Sequence, residues 1–184
     1  GIRVGHYTDP VAVTGCTVVL CERGAVPGVN VSGASPGGRE IELLKPGYSI
    51  GLVHAVLLSG GSAYGLDAAA GVMRYLEERS AGFDTVAGIV PIVPTAIIYD
   101  LSVGDARVRP TPDNAYAACL AATESDVMEG SVGAGTGATV GKCLGMEFAT
   151  KGGVAMASVQ LGGGSTVAAL IVVNAWGDVI SPDS

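Results

Sequence analysis

The pattern that decides the fold class lies in Val53-His-Ala-Val-Leu-Leu-Ser-Gly-Gly-Ser-Ala-Tyr-Gly-Leu-Asp-Ala-Ala-Ala-Gly-Val-Met-Arg-Tyr75. Its apolar start, His54 to Ser59, predicts a short strand, and Gly60-Gly61-Ser62 predicts a tight turn after it. Apolar side chains then recur at helical spacing and predict a helix over residues 64–79. A strand, a glycine turn and a helix in this order indicate mixed α and β structure.

The rest of the chain extends this pattern on both sides. A second helix is predicted from Thr111 through Ala122, with Thr111 as N-cap and a proline at the first turn. A short helix is predicted from Ser35 up to Pro46. Alternating or apolar runs predict strands at 2–8, 14–23, 26–32, 95–101, 153–161, 165–174 and 177–181. The strands come in pairs around the helices, which favours layered α+β packing over a doubly wound parallel sheet.

A glycine-rich segment, Gly133 to Lys142, allows three interpretations. A nucleotide loop of the Walker type is disfavoured, because Cys143 stands where Ser or Thr must follow the lysine. The spacing also lacks the glycine register of a dinucleotide-binding turn. The remaining interpretations are a close backbone crossing, for which glycine removes the Cβ atoms, and a pocket wall against which a substrate lies.

Composition limits the class of protein. The 184 residues suit a single domain, 1–184, with 48% hydrophobic and only 15% charged residues. Few charges remain to cover a free surface, so we expect part of it to be buried against another chain. The net charge of −7 and the lack of a basic cluster exclude a nucleic-acid binder. No apolar run approaches the ~20 residues of a membrane span.

The residue types of common catalytic and metal sites are sparse. Four cysteines, Cys16, Cys21, Cys119 and Cys143, form no CxxC pair, and His6 and His54 are the only histidines. We therefore expect no metal and reduced cysteines, as in a cytoplasmic protein. The serines lack a nucleophile-elbow context, and paired carboxylates are missing. These residues alone supply no self-sufficient catalytic set.

Five motifs in order resemble the L-aminopeptidase/D-esterase family, which includes β-aminopeptidases and the 6-aminohexanoate-oligomer hydrolases. The first is the segment from Val53 to Tyr75 quoted above. The others are Val90-Pro-Ile-Val-Pro-Thr-Ala-Ile-Ile-Tyr-Asp100, Gly130-Ser-Val-Gly-Ala-Gly-Thr-Gly137, Lys151-Gly-Gly153 and Val172-Val-Asn-Ala-Trp-Gly-Asp178. Together they extend over nearly the whole chain.

The resemblance implies a fold and a processing event. The fold is a four-layer α/β/β/α sandwich, also found in ornithine acetyltransferase, and a second chain completes it. In the family, a precursor cuts its own backbone before a Ser or Thr, which becomes the N-terminal nucleophile of a smaller chain. This sequence resembles the larger fragment and ends at Ser181-Pro-Asp-Ser184, before the expected cut. The nucleophile is thus expected outside it, on a partner chain, in a homo-oligomer of heterodimers such as a tetramer of them.

The resemblance also assigns candidate site residues. Asn174 would donate its amide to an oxyanion, Lys142 would keep the nucleophile's amine neutral or stabilise negative charge, and Tyr99 would offer its hydroxyl near the nucleophile. Tyr64, Gly60 and Gly61 would line the substrate pocket. The implied activity is amide or peptide hydrolysis through an acyl-enzyme, without a cofactor.

Two alternatives remain open at this point. An acyltransferase of the ornithine acetyltransferase type would pass the same acyl group to an amine instead of water. A non-catalytic binding or scaffold subunit would have no nucleophile at all. Possible substrates are small α- or β-peptides, amino-acid amides or esters, and 6-aminohexanoate oligomers.

Overall fold

A five-stranded sheet forms the centre of the molecule. It is seen in a computed structural model that describes residues 1–125 and 127–181. Its strands are β1 (Arg3–Asp9), β2 (Thr14–Ala25), β3 (Gly38–Arg39), β4 (Val53–Ser59) and β7 (Thr95–Ile97). Their spatial order is β1-β2-β4-β7-β3, in which β4 and β7 are parallel and the other neighbours are antiparallel. The parallel pair matters for function, because the carboxyl ends of both strands meet at one edge of the sheet.

Two helices, α1 (Ala69–Glu77) and α2 (Pro112–Leu120), cover one face of this sheet. Their small residues allow close approach. A Cβ on Gly5 of β1 would lie 2.0 Å from the carbonyl oxygen of Ala118, and one on Gly71 would lie 1.7 Å from that of Pro112. The core between helices and sheet is fully buried and contains Cys16, Val18, Leu20, Leu57, Val72 and Leu76. The alanine-rich second helix predicted from Thr111 is thus confirmed, together with its close neighbour.

The opposite face of the sheet carries the glycine-rich segment. A 3₁₀ turn at Gly133–Gly135 lies on β2, where Thr17 Oγ1 accepts a hydrogen bond from the backbone N–H of Ala134 (3.0 Å). On its other side a Cβ at Gly135 would lie 2.4 Å from the backbone nitrogen of Val154. The interpretation of this segment as a close backbone crossing is therefore confirmed.

A long antiparallel hairpin, β10 (Gly153–Gln160) and β11 (Thr166–Val173), begins at that crossing. It agrees with the strands predicted at 153–161 and 165–174. One of its faces is exposed, whereas on the other face Val154 is buried and Met156, Leu170 and Val172 are half-buried. Two smaller pairs are the remaining strands of the described residues: β5 (Phe83–Thr85) with β6 (Gly88–Val90), and β8 (Thr139–Val140) with β9 (Thr150–Lys151).

Some sequence predictions are wrong in detail. Residues 26–32 and 177–181 form no strand, and the first of these runs contains Pro27 and Gly28. The predicted helix at 35–46 is absent; it is replaced by β3, which pairs with β7, and by a 3₁₀ turn at Glu42–Leu44. The helix predicted over 64–79 begins as a 3₁₀ helix, Ser62–Ala68. Pro182 to Ser184 lie outside the described residues. The α+β class itself is confirmed.

Candidate active site

Asn174 directly follows β11, and its side-chain amide is fixed in one orientation by three hydrogen bonds. Its Oδ1 accepts from the backbone N–H of Thr139 (3.0 Å) and from Nζ of Lys142 (2.9 Å). Its Nδ2 donates to the carbonyl oxygen of Tyr99 (3.0 Å). Two donors therefore point at the oxygen and one acceptor at the nitrogen, which excludes the flipped amide. The Nδ2 group has a second N–H donor, for which no partner is found among residues 1–125 and 127–181.

Lys142 is a buried cation, with only 7% of its surface exposed. Gly141, in the left-handed conformation with φ of 70°, turns the chain just before it. Backbone hydrogen bonds from the N–H groups of Gly141 and Lys142 to the carbonyls of Gly177 (2.8 Å) and Trp176 (2.9 Å) tie this turn to the segment after β11. Burial lowers the pKa of the Lys142 ammonium. The turn thus brings an amine of reduced basicity against Asn174.

Tyr99 contacts Asn174 through its backbone carbonyl and not through its ring. It lies two positions beyond β7, and its side chain is 55% exposed. In the described part of the chain its hydroxyl has no hydrogen-bond partner. The hydroxyl role implied by the resemblance is therefore untested, whereas the carbonyl contact with Asn174 is present.

Gly60 and Gly61 follow β4, at the same sheet edge as the segment after β7. The N–H of Gly61 donates to Oδ1 of Asp100 (2.6 Å), and a Cβ on Gly60 would lie 2.2 Å from Oδ2 of Asp100. Tyr64, in the 3₁₀ helix that begins after Gly61, is exposed and stacks with the guanidinium of Arg109 at 3.8 Å from the ring centroid. The three predicted pocket residues therefore belong to a turn bound to the Tyr99 segment, but among the described residues they form no hydrogen bond with Asn174 or Lys142.

Asp100 is the residue that sequence reasoning missed. It is 2% exposed and, in the described part of the chain, has no cationic partner. Besides the Gly61 N–H, it accepts a hydrogen bond from the hydroxyl of Thr14 (2.7 Å). It therefore locks the turn after β4 to the segment that carries the Tyr99 carbonyl. The sequence signal for Asp100 is a single acidic residue at the end of an apolar run, Ile97-Ile98-Tyr99-Asp100.

The two histidines and the buried cysteines Cys16 and Cys119 take part in none of these hydrogen bonds, whereas the exposed Cys143 directly follows Lys142 in the chain. His6 Nδ1 lies 2.9 Å from Thr17 Oγ1, and burial lowers the pKa of both His6 and His54. Burial raises the pKa of the Cys16 and Cys119 thiols to about 12, so both stay protonated at neutral pH. Across residues 1–125 and 127–181, no three His, Cys, Asp or Glu side chains come together as a metal site. No helix in this part of the chain has the length and hydropathy needed to cross a membrane.

Comparison with solved structures defines the fold class. The chain aligns with the L-aminopeptidase D-Ala-esterase/amidase of Ochrobactrum anthropi, described as a variant of the Ntn hydrolase fold, with a TM-score of 0.75 and 23% identity. That alignment covers 96% of this chain and 52% of the other. A β-aminopeptidase of Burkholderia sp. aligns with a TM-score of 0.70 and 25% identity over 96% of this chain and 50% of the other. The fold is therefore that of an Ntn hydrolase.

Sequence comparison then gives the family. Residues 1–180 match the model of Peptidase family S58, and the chain belongs to that family. It is 49% identical to an uncharacterized aminopeptidase of Mycobacterium leprae over 98% of this chain and 52% of that protein. It is 35% identical to a 6-aminohexanoate-oligomer endohydrolase of Kocuria sp. over 77% of this chain and 38% of that protein. The chain spans about half the length of the mycobacterial relative.

Proposed function

We propose that this chain is the larger part of an amide and peptide hydrolase of the N-terminal-nucleophile type. The observation that carries the proposal is the Lys142–Asn174 pair. A buried ammonium and an amide of fixed orientation stand together at the end of a strand, and the amide retains an N–H donor. That combination fits an oxyanion site beside a positive charge. Family membership and the hydrolase names of the relatives support the same activity.

The chemistry needs one group that these residues do not supply, the N-terminal Ser or Thr of a partner chain. Its α-amine, with an ordinary pKa of ~7.7–8.0, accepts the hydroxyl proton while the oxygen attacks the substrate carbonyl carbon. The Asn174 N–H donates to the oxyanion of the tetrahedral intermediate. The Lys142 charge disfavours a second cation nearby and so keeps the α-amine neutral. The C–N bond then breaks, the leaving amine takes the proton, and water hydrolyses the acyl ester.

Self-cleavage, the partner chain and the assembly belong to the same proposal. The nucleophile would be released by cleavage of a longer precursor, and the two chains would form a closed homo-oligomer of heterodimers, such as a tetramer of them. Many large apolar side chains are exposed, among them Leu144, Phe148, Trp176 and Ile180, which supports burial against other chains. Light scattering on the full protein tests the assembly. Four free cysteines fit a reducing compartment such as the cytoplasm.

Several substrate classes fit the proposed reaction. The relatives are named as aminopeptidases and as 6-aminohexanoate-oligomer endohydrolases, so small peptides, amino-acid amides or esters and ω-amino-acid oligomers are the candidates. A first experiment combines the intact mass of the full protein with an assay of these substrates. Two chains and release of free amine are expected. A single uncut chain that hydrolyses none of them would contradict the proposal.

Substitution of Asn174 tests the oxyanion role. Asn174→Ala should lower kcat by ~10²–10³-fold with a smaller effect on KM, because one donor to the oxyanion is lost. Asn174→Asp is the sharper variant, since it keeps an oxygen for Thr139 and Lys142 but has no N–H to donate. Asn30→Ala, at an exposed asparagine whose Nδ2 donates to the neighbouring Ser32 hydroxyl, is the matched control. An Asn174→Asp enzyme with wild-type kcat would refute the assignment.

A further inference from the structure

Arg109 is a half-buried cation whose hydrogen-bonding capacity is largely unused. Its Nε donates to the carbonyl oxygen of Ala106 (2.9 Å), and its guanidinium lies over the ring of Tyr64 at 3.8 Å from the centroid. For the two terminal nitrogens, residues 1–125 and 127–181 offer no carboxylate or other acceptor. By contrast, the exposed Arg107 is paired with Asp105 through both Nε and Nη2. Arg23 and Arg39 also lack a carboxylate partner among the described residues, but Arg109 differs from them because its guanidinium lies over an aromatic ring with both terminal nitrogens left without an acceptor.

The position of Arg109 is fixed by its neighbours. Pro110 follows it and restricts its backbone to extended conformations, and Thr111 begins α2 directly afterwards. On the other side, Gly61 has a φ of 84°, and a Cβ there would lie 3.1 Å from the Cβ of Arg109. Stacking on Tyr64 holds the guanidinium plane itself. An arginine held in this way loses little side-chain entropy when it binds an anion.

Backbone contacts connect Arg109 to the candidate active site. The turn that carries Gly61 and Tyr64 is bound to the segment after β7, because the N–H of Ser62 donates to the carbonyl of Ile98 (3.0 Å). The next residue of that segment, Tyr99, accepts the hydrogen bond from Asn174. One short stretch of backbone therefore connects the Arg109–Tyr64 pair to the Lys142–Asn174 pair, at the shared carboxyl edge of β4 and β7.

We propose that the stacked Arg109 binds a carboxylate of the substrate, so that the site prefers small amides that carry a free carboxylate. Two terminal N–H-bearing nitrogens of a planar guanidinium match the two oxygens of a carboxylate. The substrates selected in this way are short peptides with a free C-terminus and oligomers of ω-amino acids. The inference rests on the proposed hydrolase function, because it assigns the substrate class of the same site.

Binding to the full protein, measured by titration calorimetry, tests the carboxylate site without any turnover. The probes are 6-aminohexanoate and hexylamine, which differ by the carboxylate and contain no amide bond. We expect wild-type protein and Arg107→Gln to bind 6-aminohexanoate more tightly than hexylamine. Arg109→Gln should weaken 6-aminohexanoate by ~10-fold or more, since a charge-assisted pair is lost. Arg109→Lys keeps the positive charge but not the two parallel N–H donors, so its affinity for 6-aminohexanoate should fall between those of wild type and Arg109→Gln. It is the test variant if Arg109→Gln does not fold.

Kinetics separate this inference from the proposed function. For a short peptide and its C-terminal amide, wild-type protein should show a higher kcat/KM for the free acid, and Arg109→Gln should abolish that ratio. If the protein is active and Arg109→Gln changes neither the preference for the free acid nor the affinity for 6-aminohexanoate, the carboxylate site is refuted. The hydrolase proposal is not affected by that result. Protein that binds 6-aminohexanoate through Arg109 but cleaves no amide would overturn the hydrolase proposal and leave the binding site standing.

Discussion

The candidate site depends on Asn174, because the orientation of its side-chain amide decides whether it can donate a hydrogen bond or only accept one. Thr139 and Lys142 both direct N–H donors at its oxygen. They thereby leave the nitrogen end for the Tyr99 carbonyl and for one further acceptor. A strand-end asparagine without these donors would be free to flip, and it would be a surface turn residue with no defined chemistry.

The charge of Lys142 should be visible in the pH dependence of the full enzyme. Lys142→Met removes the cation and roughly keeps the length of the side chain. A nearby cation lowers the pKa of the nucleophile's α-amine, so its removal should raise that pKa and move the acidic limb of kcat/KM to higher pH. Lys45→Met, at an exposed lysine paired with Glu42, is the control. An unmoved limb with unchanged activity would make Lys142 a structural lysine.

At this scale the sequence offers candidate residues but not their contacts. Asn174 and Lys142 are candidates by resemblance, and the structure brings Lys142 Nζ within 2.9 Å of Asn174 Oδ1. That Tyr99 contributes its carbonyl could not be foreseen, since backbone groups carry no sequence signal. Asp100 was missed for a related reason. Its partners, Thr14 and the Gly61 N–H, are distant in sequence and meet it only after the sheet has formed.

At the scale of elements, the hydrogen bonds at the start of α2 are specified completely by residues close together in the sequence. Thr111 Oγ1 accepts from the backbone N–H of Asn114 (3.4 Å), and Asn114 Oδ1 accepts from the backbone N–H of Thr111 (2.9 Å). Thr111→Ala should destabilise the helix start by about 1 kcal/mol. Thr111→Asp should restore most of it, because a carboxylate also caps and favours the helix dipole. Hydrogen exchange of the α2 amides measures both; equal exchange in Thr111→Ala and wild type would refute the cap.

Elements defined by local pattern were therefore predictable, and elements defined by distant partners were not. Strands β1, β2 and β4 and the hairpin have long apolar or alternating runs, and the structure confirms them. The 35–46 region is different. Gly38 and Arg39 form β3 because β7 offers an open edge, and Glu40 then adopts a φ of 57° that ends any helical start. No residue pattern inside 35–46 contains that information.

At the scale of the whole molecule, the layers are unequal. Both helices lie on one face of the five-stranded sheet, and the β10–β11 hairpin lies beyond the other face with no helix of the described chain upon it. Val159, Val167 and Ile171 lie on one face of this hairpin and are exposed, whereas the apolar residues of its other face, Val154, Met156, Leu170 and Val172, are buried or half-buried. A sheet that is apolar on both faces needs a layer on each. The solved relatives are about twice as long as this chain, so they have enough further residues to supply one.

The uncovered face of the hairpin leads to a prediction for the chain on its own. Residues 1–184 expressed alone should be insoluble or molten, because one face of the hairpin has no covering layer, and co-expression with the proposed nucleophile-bearing chain should rescue a cooperatively melting complex. Near-ultraviolet circular dichroism and thermal melting measure this directly. In the proposed precursor, changing the nucleophilic Ser or Thr to Ala should leave one uncut polypeptide with little hydrolytic activity, which separates folding from processing. A soluble, cooperatively melting 1–184 fragment that hydrolyses amides unaided would overturn both the layer argument and the mechanism, since it would need neither the second chain nor its nucleophile.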